Sequence, residues 1–216
     1  MDGYCERLGP GLWAEPLNAV SNVAFLIASA ALLTLLARRP SVPPPSLGSW
    51  ALPALLGVVG LCSLVFHTFA TPWTAALDSL SILVYVLVGV VLLVRRGWGI
   101  RPSRAWLAAP AFVLFAAVVN GALAAVDPSF TVGGYLPALL GLAAFAAALR
   151  SHLLTAAAAV FAASLTLRTL DEPLCAHLPS GTHWLWHVLN AAVLTLIALH
   201  VDRAPISPNQ RTPLNA

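Results

Sequence analysis

Apolar residues gather into seven stretches, each near the length of about twenty that crosses a hydrocarbon core as a helix. They cover residues 17–37, 50–70, 73–94, 105–124, 131–149, 153–169 and 183–201. The connections are short. Two of them, Pro43-Pro44-Pro45 and Thr71-Pro72, carry prolines that discourage a continuing helix. A chain of 216 residues divided this way has no room for a separate soluble domain. Charged residues make up only 9% of it, against roughly a quarter in soluble domains. The expected fold is all-α and integral to the membrane: a single domain over 1–216, built as a bundle of seven transmembrane helices. A polar segment at 1–16 precedes the bundle and a tail at 202–216 follows it.

All eleven basic residues are arginine, and the net charge is +3. That is too small and too scattered for nucleic-acid binding. Nothing in the pattern calls for an obligate protein partner. Abundant alanine and proline without lysine suggest a bacterial source, and the polar, acidic first fifteen residues do not read as a signal peptide. With seven spans, Arg38, Arg39, Arg95, Arg96, Arg101, Arg104, Arg150, Arg203 and Arg211 share one side, leaving Arg7 and Arg168 on the other. The positive-inside rule then puts the N-terminus outside a bacterial inner membrane and the C-terminal tail in the cytoplasm.

This topology brings distant residues to one depth. Ser63 and His67 fall near the outer end of the second span, Asp78 at the outer start of the third, and His183 and His187 at the outer start of the seventh. Histidines four apart share a helix face one turn from each other, which suits two ligands of one metal. Either pair member could instead be interfacial, beside Trp184 and Trp186. Ionisable groups inside spans are costly and usually functional, so their coincidence favours chemistry. Three histidines can hold Zn2+ and leave a fourth position for water, whose pKa zinc lowers to about 7. Asp78 could accept the proton of that water, and Ser63 could donate a hydrogen bond to an oxyanion. Taken singly, Ser63 could bond back to its own helix and Asp78 could answer the helix dipole.

Ser63-x3-His67, Asp78 eleven residues on, and His183-x3-His187 in the last span resemble the alkaline ceramidase family. That family lies in a larger group of seven-span hydrolases that includes the progestin/adiponectin receptors. The flanking words agree: Cys5-Glu6, the run from Trp13 to Asn22, Phe66-His67-Thr68, Asp78-Ser79 and Trp186-His187-x-Leu189. The resemblance covers the whole chain. It implies zinc on His67, His183 and His187, Asp78 and Ser63 in the roles above, and hydrolysis of a ceramide-like lipid to a sphingoid base and a fatty acid. It also implies a disulfide between Cys5 and Cys175, which the topology already places on the same side. A Ca2+ site in the N-terminal segment is implied as well, with Glu6 and Glu15 matching two of its ligands. This chain departs there: Gly3 stands where the family has aspartate, Asp2 comes one step early, and Leu8 replaces an amide ligand.

Three rivals remain open at this level. The chain could hydrolyse another lipid, such as an N-acyl amino lipid or an ester. It could be a receptor whose zinc is structural, or a cytochrome with haem on His67 and His187. Arg168 could pair with Asp171 or Glu172, or meet the polar head of a substrate.

Overall fold

The computed structural model describes residues 3–40, 46–126 and 134–203, and every regular element in them is a helix. In chain order these are α1 (Pro16–Ser21), α2 (Val23–Arg38), α3 (Leu47–Phe69), α4 (Pro72–Gly97), α5 (Pro102–Ala105), α6 (Ala108–Val126), α7 (Leu136–Ala148), α8 (His152–Leu174) and α9 (His183–Arg203). Among the described residues, six helical stretches are long and apolar enough to cross a membrane. They are α1 with α2, α3, α4, α5 with α6, α8 and α9. The fifth expected span, 131–149, differs. Part of it lies outside the described residues, and α7 has 13 residues, about 20 Å of helix against a core of about 30 Å.

Local chemistry sets the boundaries. Ala70 turns left-handed to end α3, and Pro72 follows as the first residue of α4. Thr71 caps α4 reciprocally with Thr74, which satisfies two otherwise orphaned donors. α8 runs past the expected end at 169, so Asp171 and Glu172 are helical rather than in a loop. An acidic pair at the mouth of a span can stay helical because its carboxylates reach neighbouring donors, as Asp171 does below.

Helix α9 packs against α8, α3 and α2. Its buried positions His183, Trp186, His187, Asn190 and Ala191 follow helical spacing. The core beside it includes Phe25, Leu56, Tyr85, Leu154 and Phe161. The Tyr85 hydroxyl crosses from α4 to donate to the Leu194 carbonyl at 2.7 Å, so α4 and α9 are joined by a hydrogen bond in an apolar setting. Leu35, Leu61, Leu83, Leu114 and Val118 point outward, as residues facing lipid would. None of the residues of α6 is buried.

The two ends of the bundle are chemically distinct. At one end Arg96 donates to the Val201 carbonyl and to the Ser46 and Ser49 hydroxyls, and Arg39 pairs with Asp202 at 2.9 Å. The ends of α2, α4 and α9 and the start of α3 meet there. The histidines lie at the opposite end.

Candidate metal centre

His67 comes from the last turn of α3, and His183 and His187 from the first turns of α9. All three are at most 2% exposed. One ring nitrogen from each lies within 4.8 Å of the other two. Ligands of a tetrahedral zinc lie about 3.3 Å apart when the zinc–nitrogen bonds are about 2.0–2.1 Å, so small ring rotations would close the trio on an ion. Two buried nitrogens, His67 Nε2 and His183 Nδ1, have no hydrogen-bond partner among the described residues. Leaving such groups buried and unmatched is costly. A cation fits this donor set, and neutral imidazoles suit zinc and similar divalent ions.

The outer nitrogens of two rings are already held. His67 Nδ1 lies 2.6 Å from Glu15 Oε2, and His187 Nδ1 lies 2.8 Å from Ser21 Oγ. The Ser21 hydroxyl also donates to the Asn18 carbonyl at 3.0 Å. With its proton spent there, Ser21 accepts from His187 Nδ1, and Glu15 accepts from His67 Nδ1. Both rings therefore turn Nε2 with its lone pair inward, the arrangement by which outer partners fix metal-binding tautomers. Burial alone would raise the pKa of Glu15. Hydrogen bonds from His67, Arg7 and Asn18 outweigh it and hold the carboxyl below its ordinary value.

Residues 3–15 fold back over this end. The Tyr4 ring stacks on His183 with centroids 3.9 Å apart, and burial raises its phenol above the ordinary pKa, so it stays a neutral donor. The Cys5–Cys175 disulfide fastens the segment to the end of α8. Asp171 ties three strands of the chain together: it accepts from the backbone N–H of Cys5 (3.1 Å), Thr182 (2.6 Å) and His183 (2.9 Å). It thereby caps the start of α9 just where the ligands begin. Gly181 makes this approach possible. Its φ is +62°, and a Cβ there would lie 2.1 Å from Asp171 Oδ1.

Beside the histidines opens a cavity of about 110 Å³. Ser63, Asp78, Tyr4 and Arg168 line it at the histidine end, and Leu93, Phe112, Phe145 and Ile197 line it deeper in the bundle. Ser63 is buried and Asp78 half-buried, and Asp78 Oδ1 has no hydrogen-bond partner among the described residues. Asp78 and Leu93 are fifteen residues apart on α4, which makes the cavity about 22 Å deep along that helix.

The implied calcium ligands are otherwise engaged. Glu6 accepts from the backbone N–H of Leu17 and Asn18 at 2.7 and 2.8 Å, capping α1. Glu15 spends its oxygens on Arg7, His67 and Asn18. The Arg7 guanidinium also reaches the carbonyls of His67 and Gly9. A fixed cation thus stands among the oxygens calcium would need, and these residues do not fit a calcium cage. Asp2 lies outside the described residues. Sequence reasoning missed Tyr4, Arg7 and Ser21 and gave Glu15 a different partner. The one available signal was Glu15 itself, an acidic residue directly before an apolar span. The chain matches no protein-family model and no curated protein.

Proposed function

We propose that this protein is a seven-span membrane zinc amidase that hydrolyses ceramide-like lipids to a sphingoid base and a fatty acid. The observation that carries the reading is the cavity: metal-ligating and acid–base groups at one end, an apolar channel of acyl-chain proportions behind them. His67, His183 and His187 hold the zinc. When bound, zinc supplies Lewis-acid activation of water at neutral pH. Asp78 takes the proton as water oxygen adds to the acyl carbon, and returns it to the leaving nitrogen as the C–N bond breaks. Ser63 donates a hydrogen bond to the oxygen of the tetrahedral intermediate. The apolar wall holds the acyl chain so that the amide meets these groups. Counting α7 as the seventh crossing, the arginine-rich end faces the cytoplasm and the site opens to the outer side of a bacterial inner membrane.

The test is release of fatty acid from labelled ceramide by purified protein whose metal has been measured. Asp78→Asn is expected to lose about a hundredfold or more in turnover while keeping its zinc, and His183→Ala to lose both. Full turnover in Asp78→Asn rejects the mechanism.

A further inference from the structure

Arg168 is an arginine in an apolar helix, and it forms no ion pair among the described residues; the acidic group that shares its cavity wall and feels its charge is Asp78. It lies on α8, half-buried, on the wall of the cavity with Tyr4, Ser63, Asp78 and His183. Its guanidinium stands over the rings of Tyr135 and Trp186, 5.1 and 5.6 Å from their centroids. The two acidic residues nearest in sequence do not pair with it. Asp171 is committed to the backbone of Cys5, Thr182 and His183. Ion pairs among the described residues join Arg7 and His67 to Glu15, and Arg39 to Asp202. None includes Glu172, and Arg168 has no hydrogen-bonded acceptor among those residues.

Cation–π attraction to two rings holds the guanidinium in place while using none of its N–H donors. Those donors match a carboxylate, phosphate or sulfonate through two parallel hydrogen bonds. A neutral head would leave most of these donors unmatched, and an acidic one would otherwise meet only Asp78, which repels it. We propose that Arg168 adds a selection at the substrate's head: among lipid amides, the site prefers those with an acidic group close to the amide nitrogen over neutral ones such as ceramide. The inference rests on the amidase reading for its reaction and on the Arg168 geometry for its selectivity.

The experiment uses full-length, zinc-loaded protein in detergent and three probes with one acyl chain: N-palmitoylglycine, N-palmitoyltaurine and N-palmitoylethanolamine. Binding is followed by quenching of tryptophan fluorescence, and hydrolysis by released palmitate. Charge-assisted hydrogen bonds predict that the acidic probes bind about tenfold or more tighter than the neutral one. The taurine sulfonate, a poor metal ligand, should share the preference. Arg168→Gln should bring the acidic-to-neutral ratio to within about twofold of one, chiefly through KM, and Arg168→Lys should recover part of it. A merely structural arginine would lower all three probes together and leave the ratio alone. An equal response of the wild type to all probes, or a preference that survives in Arg168→Gln, overturns the proposal. Should Arg168→Gln fail to fold, the taurine-to-ethanolamine ratio of the wild type decides it. If the acidic probes bind selectively and no probe is cleaved, the acid-selecting site stands and the amidase reading falls. If all are cleaved without preference, the reverse holds.

Discussion

Glu15 shows how much one carboxylate can carry. It orients His67, neutralises Arg7 and holds Asn18, all in a buried setting. Replacing it with glutamine keeps an acceptor but removes the charge. Groups that orient a metal-bound histidine are worth about ten- to a hundredfold in metal affinity, so Glu15→Gln should weaken zinc by that factor in a chelator competition. It also leaves Arg7 without its counter-charge. The pH dependence has a defined sign. Because the folded carboxyl titrates below the ordinary value of 4.5, its contribution to stability is complete above that pH and is lost as the pH falls through the folded value. The difference in melting temperature between wild type and Glu15→Gln should therefore be largest above pH 4.5 and narrow below it. A constant difference would refute this. The histidine trio was legible from spacing and depth because both are properties of helices. Glu15 and Tyr4 were not, since their contacts depend on how an aperiodic segment folds back, and Ser21, at the end of α1, meets His187 across two helices, which no period encodes.

At the scale of elements, most apolar runs became helices near their expected bounds. The exceptions have physical causes. Asp171 and Glu172 suggested a loop by charge alone, but α8 continues because Asp171 finds three backbone donors beyond it. Composition could not reveal that α7 would be short, since Pro137 can open a helix as readily as Thr131 could extend one. Nor could it reveal the channel beside α4. Gly89 is buried on that channel's wall, and a Cβ there would touch nothing within 4 Å. The space is held open by a missing side chain. Gly89→Leu should fold normally and fill the channel part-way. Long-chain amides should then lose about tenfold or more relative to short-chain ones, measured as kcat/KM over an acyl series. An unaltered chain-length profile would show that the acyl chain lies elsewhere.

At the scale of the whole molecule, the disulfide joins positions 170 residues apart and keeps the N-terminal segment over the histidines. Hydrophobic packing does not replace it there, because Leu8, Leu12 and Trp13 are exposed. Reduction, or Cys5→Ser, should free Tyr4 from His183 while leaving the bundle intact. Chelators should then strip the metal faster, with the helical circular-dichroism signal unchanged. Equal stripping rates before and after reduction would mean that the segment holds its place without the bond. The pairing is anticipated by the family resemblance and by an expected topology that puts both cysteines on one side. The carboxylate that completes the junction, Asp171, had looked like an ordinary loop charge.

Asp171 also joins parts of the chain that are synthesised far apart in time. Its three donors come from residue 5 and from residues 182 and 183, so its shell closes only when the first and last parts of the chain are present together. Two of the three histidines that could hold a metal ion belong to α9, which follows every other described helix in the chain. A chain that stops after α8 carries only His67 of that trio. If the trio holds an ion, it can do so only once α9 has joined α3.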